Sequence, residues 1–265
     1  MAVTIKNAQI RNTQIGPTVA TRGLVSCWNA VSTYSYPRTG SKLYDLIKKN
    51  KNDGDMINMN SSNFSEEAMG SLILDGTNEY INVPYDTSNL SLDVGDGPFS
   101  ISVWIAPTET ASSALSEIVR KKSSEYWGVG ASAGWSIALQ SRGAAGWKLA
   151  NIGVQDDESS FTSCDLCGPY TYEWGDWYYI SMSYSPINQV LLVYVDMELA
   201  VELSVPAGFG NLSNTRPFEI GGRVDYSMLQ DPFKGSISSL YFYNVALSFE
   251  EMSQNYNATK IRFIE

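Results

Sequence analysis

Hydrophobic residues in this chain recur mostly at every second position. Phe99, Ile101, Val103 and Ile105 alternate with Ser100, Ser102 and Trp104, and Leu191, Val193 and Val195 alternate with Val190, Leu192 and Tyr194. A period of two is the mark of a β-strand. Leu24, Val25, Cys27 and Trp28 predict a first strand, and turn signals such as Ser35 to Gly40 and Asn52-Asp53-Gly54 follow. The stretch Phe233 to Tyr256 organises the rest. Ile237, Tyr241 and Tyr243 share one parity, and Ser238, Leu240 and Phe242 share the other. Apolar residues on both parities predict a strand covered on both sides. The strand stops at Asn244. Ser248 followed three residues later by Glu251 is a capping-box pattern, which predicts a short helix from Phe249. Many short strands with one late helix predict an all-β fold, a two-sheet antiparallel sandwich.

The chain has 265 residues, enough for a large core. No internal repeat or linker divides it. Residues 1–21 are polar with isolated Ile5, Ile10 and Ile15, and Gly16-Pro17 breaks them; they read as an extended arm or as a disordered terminus. The sandwich is expected over 22–257 and a tail over 258–265. The N-terminus carries no apolar run, so neither a signal peptide nor a membrane span is expected, and folding in a cytoplasm is.

The net charge is −10, which offers no basic face to nucleic-acid phosphates or to anionic membranes. There is no histidine. That removes histidine bases, Ser-His-Asp triads and His-ligated zinc, and leaves carboxylates, Lys or Tyr for any catalysis. Cys164 and Cys167 have metal or redox spacing, but no second pair completes a zinc site and no βαβ context supports redox work. A local disulfide or two plain thiols remain. Asp93 and Asp96 flank a loop glycine, and Asp156, Asp157 and Glu158 form a run that reads as a solvated face.

Aromatic residues are the other functional currency. Trp127, Trp135 and Trp147 sit in a Gly-rich region with Gln140 and Arg142, and Tyr170, Tyr172 and Trp174 follow the CDLC pair. Sugars stack on exposed aromatic faces while amides and charges bind their hydroxyls. Trp127, Trp147, Arg142 and Tyr172 are the candidates for such a site. Core packing or loop anchoring is the competing reading, and it is assigned to Trp135 and Trp177.

Several segments resemble a known family in order and spacing. They are G-L-V (23–25), S-Y-P-x-x-G (35–40), GSLILDGTNEYINVP (70–84), GPFSISVWIAP (97–107), GDWYYISMSY (175–184), VLLVYVDMELA (190–200) and FKGSISSLYFYNVALSFEE (233–251). Together, over roughly 22–257, they resemble laminin-G-like, concanavalin A-like jelly-roll domains, in particular the variant common in bacteriophage virion proteins. Two positions depart from the pattern. Asn29 stands where the family often has Asp. Asp196-Met197 stands where it often has Asn-Gly, which predicts a longer loop or strain at that hairpin tip.

The resemblance implies a jelly roll. It also implies Ca²⁺ at the rim, with Asp93, Asp96, Asp156, Asp225 and Asp231 as candidate ligands. No cofactor is expected to be required. Enzymes of this fold carry Glu-x-Asp-x-x-Glu on one strand, a spacing missing here, so a glycoside hydrolase or lyase ranks third. The leading expectation is a non-enzymatic virion structural protein: a capsid decoration protein on the virion surface, docked by its arm to other virion proteins and self-associated, as a trimer. The second is a tail or fibre adhesin that binds surface glycans.

Overall fold

The computed structural model of the protein describes residues 18–111, 113–123, 133–225 and 228–263. Trp127 and most of the expected arm therefore lie outside the described residues. Two antiparallel eight-stranded sheets face each other. In the first, the order runs Glu198–Ser204, Val190–Val195, Tyr178–Ser185, Phe99–Pro107, Lys234–Tyr243, Ser71–Asp75 and Phe64–Ser65, with Leu24–Asn29 also paired to Lys234–Tyr243. In the second, it runs Phe161–Tyr172, Trp147–Gln155, Gly134–Ser141, Leu115–Lys122, Phe218–Ile220, Tyr80–Val83, Gly54–Ile57 and Lys42–Leu43.

Alternation explains the core between the sheets. Phe99, Ile101, Val103 and Ile105 meet Trp135, Ile137, Leu139 and Phe218 there, and all are buried. Phe99 lies 5.2 Å from Trp135 and 5.4 Å from Tyr184 between ring centroids. The opposite parity of the Phe99–Pro107 strand is also buried, because the C-terminal helix α1 (Phe249–Thr259) and its flanks cover it. Its serines pair with their neighbours: Ser102 with Ser181 at 3.0 Å and Ser100 with Ser183 at 3.2 Å. Trp104 donates from Nε1 to Thr259 Oγ1 at 2.8 Å and stacks on Phe263 at 4.0 Å. The expected capping box is present: Ser248 Oγ accepts from Glu251 N, and Glu251 Oε2 accepts from Ser248 N.

The closing strand follows its sequence pattern with one change. Leu240 and Phe242 enter the inter-sheet core, and Tyr241 and Tyr243 pack in the separate cluster that also holds Met252 of α1. Ile237 shares sequence parity with the tyrosines but sits with Leu240 and Phe242. A bulge between Ile237 and Leu240 shifts the register and reverses its face. Of the two expectations for the hairpin tip at Asp196-Met197, a longer loop or strain, the structure shows the second. Val195 pairs with Glu198, so the tip has two residues, both left-handed, with φ of 50° and 69°. Asp196 is held there: its N donates to Tyr179 O, and its Oδ1 accepts from Tyr179 N, both at 2.8 Å.

Where the chain enters the sandwich, Ala20 N donates to Asn255 Oδ1 at 2.7 Å and Gln254 Nε2 donates to Thr18 O at 2.6 Å. The segment 18–21 is thereby fixed on α1.

Candidate carbohydrate site

Three of the four residues proposed for glycan contact converge at one end of the second sheet. Arg142 opens the turn between two strands: its N donates to Gly146 O at 2.8 Å, and Gly146 N donates to Gly143 O at 3.0 Å. Trp147 begins the next strand, and Tyr172 stands across from it. Gly146 is required at this crossing. Its φ is 103°, and a Cβ there would meet Tyr172 O at 2.0 Å. Trp174 ties the far side down by donating from Nε1 to Gly143 O at 2.7 Å.

The three residues differ in what they can touch. Trp147 is fully buried in the core, and its Nε1 donates to Glu173 O at 3.1 Å. It has no face for a sugar, and the proposed stacking role passes to its neighbours. The reason is its position: it faces the core directly across the pair from Tyr172, 4.6 Å away, and edge-on to Tyr178 at 5.2 Å. Tyr172 is partly buried, Trp174 likewise, and Tyr170 is 46% exposed. Tyr170 lies 6.4 Å from Tyr172 and Tyr172 lies 5.4 Å from Tyr178. The result is a shelf of rings on a buried tryptophan footing, with exposed Arg142 and Glu173 at its margin.

The shelf has a carboxylate that alternation alone did not single out. Burial pushes Asp196 up to about 6, with the Tyr179 amide pulling down and Glu198 pushing up. Burial, and then Asp196, raise the Tyr172 hydroxyl above its ordinary range. Asp196 is thus within electrostatic reach of Tyr172 and Tyr178. Its sequence signal was its place at a hairpin tip.

The calcium candidates do not come together. Asp225 and Asp231 are committed to arginine: Arg223 Nε lies 2.8 Å from Asp225 Oδ2, and Arg223 Nη1 lies 3.1 Å from Asp231 Oδ2. Asp156 is buried and caps its own turn, accepting from Glu158 N, Ser160 N and Gly210 N. Asp96 is exposed on its loop, and Asp93 lies in a small rim cavity beside Lys121. Lys121 Nζ already fills the oxygen-rich position there. It donates to Asn214 O at 2.7 Å and Arg216 O at 3.2 Å. Among the described residues no three acidic or cysteine side chains gather as a metal site.

A second concentration of charge lies on the side of the second sheet away from the core. Glu117 Oε1 and Glu219 Oε2 flank Arg120 at 3.7 and 3.6 Å, and all three are buried. Asn151 Nδ2 donates to Glu117 Oε1, and Val224 N donates to Glu219 Oε1. Burial pushes both carboxyls up to about 7, with Arg120 pulling the other way. Raised carboxyl pairs serve glycosidases when they flank an open cleft. Here the two carboxylates face an arginine beside the paired strands Arg223–Asp225 and Met228–Gln230, the arrangement of a buried ion network.

A family model described as the concanavalin A-like lectin/glucanases superfamily matches residues 75–253, more than half of the chain. The chain belongs to this superfamily. Solved structures agree with the fold. A Trypanosoma rangeli sialidase mutant displaying trans-sialidase activity is 16% identical, with a TM-score of 0.61, over 94% of this chain and 35% of that one. The binding domain of Botulinum Neurotoxin DC in complex with SialylT is 13% identical, with a TM-score of 0.60, over 89% of this chain and 52% of that one. This superfamily member thus spans between about a third and a half of the length of these structures. No curated protein matches it by sequence.

Proposed function

We propose that this protein is a non-enzymatic, lectin-like sandwich that binds glycans on the shelf formed by Tyr170, Tyr172 and Trp174, with Arg142 and Asp196 as polar partners. The observation that carries the reading is the cluster of tilted, exposed and half-exposed tyrosine rings on the buried Trp147 footing, beside Trp174, at one end of the second sheet. Rings take the apolar face of a sugar, while the guanidinium and carboxylate take its hydroxyls or acid group. Membership of the lectin/glucanase superfamily supports it, as does a structural neighbour solved with SialylT. The finer reading places this sandwich on a bacteriophage virion as a decoration or adhesin protein, in a self-associated form. It rests on the resemblance of the ordered segments to virion laminin-G-like domains.

The test is an array of neutral and sialylated oligosaccharides probed with the full chain, with Ca²⁺ and with EDTA. Binding in both conditions is expected. No binding to any glycan removes the lectin reading. Binding lost in EDTA replaces the metal-free site with a metal-dependent one.

A further inference from the structure

On a regular strand, residues three apart point to opposite faces. Cys164 and Cys167 do not. Cys164 stands across from Ile152 and Cys167 across from Leu149, and both partners are core residues. Between them Leu166, exposed, pairs with Ala150. The strand therefore changes phase inside the CDLC segment. The partner strand matches the change at Asn151, which lies between Ala150 and Ile152 with φ of 47°. A disulfide joins the two cysteines, with Cα atoms 5.5 Å apart.

Directly after Cys167 the strand leaves register. Leu149 is opposite Cys167, yet Trp147 is opposite Tyr172. Lys148 alone faces Gly168, Pro169, Tyr170 and Thr171. This bulge carries the most exposed ring of the shelf and ends at Tyr172. Its far end is fixed by the close passage of Gly146 against Tyr172 O. Its near end turns at Gly168, where φ is 71° and a Cβ would meet Ala200 O at 2.6 Å. The disulfide is the covalent restraint on that near end.

We propose that the Cys164–Cys167 disulfide is the positioning element of the aromatic shelf: it locks the phase change from which the bulge springs and so sets where Tyr170 and Tyr172 stand. This rests on the glycan-binding reading. A bond closing so short a loop constrains the unfolded chain little compared with a long one, so its effect is local. Opening it takes two electrons and two protons from a dithiol and leaves two thiols. A small-molecule disulfide takes them back.

The experiment compares the oxidised protein, the same protein opened with dithiothreitol, a sample closed again with oxidised glutathione, and the C164A/C167A variant. Two quantities are read: amide hydrogen exchange over residues 168–173, and signal on the array of neutral and sialylated oligosaccharides. Exchange in that segment is expected to rise tenfold or more on opening, and array signal to fall tenfold or more. Exchange over Leu149 to Val154 stays unchanged. Reoxidation restores both quantities in the wild type, while the variant stays in the opened state. Unchanged exchange with the bond verified open overturns the proposal, as does loss of array signal with exchange unchanged. If the oxidised protein binds no glycan, the lectin reading fails and the exchange data alone decide the clamp.

Discussion

Tyr170→Ala and Trp147→Ala should separate binding from folding. Both residues belong to one aromatic group, but the structure gives them opposite burdens. Tyr170 is half-exposed on the bulge, and surface substitutions of this kind stay within about 0.5 kcal/mol of wild-type stability. Its loss removes one face of the shelf. Trp147 is fully buried among Tyr172, Tyr178 and the core, and its indole satisfies Glu173 O. Truncating a buried tryptophan costs about 3–5 kcal/mol. For a chain of this size that is a fall in melting temperature on the order of 10 °C. The assay is thermal unfolding followed by circular dichroism, paired with binding of a glycan found on the array. Y170A is expected to melt with the wild type and bind at least tenfold more weakly. W147A is expected to melt early, with any binding loss following the loss of folded protein. A W147A protein that melts normally but does not bind would return Trp147 to the surface and refute the account of the site. A Y170A protein that binds as wild type would remove the shelf.

Other consequences follow from local chemistry. Ser248→Ala removes the helix cap and should cost about 1 kcal/mol, seen as a melting temperature lower by a few degrees; an unchanged melt would mean that packing alone seats α1. Glu117 and Glu219 are held above the usual carboxylate range in the folded state, so the native protein binds more protons than the unfolded chain between about pH 4.5 and 7. Stability from these groups is present below that window and declines as pH rises through it. Chemical unfolding at pH 5 and pH 7 tests this in the wild type and in the E117Q/E219Q variant, in which the decline should flatten. Burial pushes the Cys27 thiol up to about 12. It should resist alkylation by iodoacetamide at pH 8 in the native protein and react at once in denaturant; rapid native labelling would show that the first strand opens.

Much of the fold was legible because burial and alternation coincide along its strands. Phe99 to Ile105 and Leu191 to Val195 face the core as their spacing requires, and Ser248 with Glu251 caps α1 as the four-residue pattern predicts. Two features, Ile237 and the cysteine pair, were not legible because a local backbone change overrides parity, and the hairpin tip was legible only as a choice between a longer loop and strain. Ile237 changes face at a bulge. Asp196-Met197 makes a two-residue turn with a methionine at positive φ, held by the paired bonds between Asp196 and Tyr179. Cys164 and Cys167 share a face only because their strand changes phase between them, matched at Asn151 on the partner strand with the pairing register kept.

The site was half legible for a related reason. Three of the four residues singled out in the sequence, Arg142, Trp147 and Tyr172, lie near one another at one end of the sheet, and Trp127 lies outside the described residues. Composition could not rank them by exposure. Trp147 and Trp174 both satisfy their indole N–H, at Glu173 O and Gly143 O, but Trp147 begins a strand and faces the core while Trp174 lies beyond the end of the neighbouring strand and stays partly exposed. Tyr170 follows Gly168-Pro169, where the strand continues but leaves register with its partner. Of the two tryptophans that the sequence favoured, Trp147 became the footing and Trp127 lies outside the described residues, while the ring placed on a backbone irregularity became the surface. The acidic residues divided on similar lines. Asp225 and Asp231 read as rim ligands by type and loop position, but Arg223 lies close in sequence to both, and nearby opposite charges satisfy each other before they recruit an ion. A binding surface in this sandwich is therefore better sought where register breaks beside a buried aromatic than where aromatic or acidic residues are densest, and the Gly168–Thr171 bulge is where those two conditions meet.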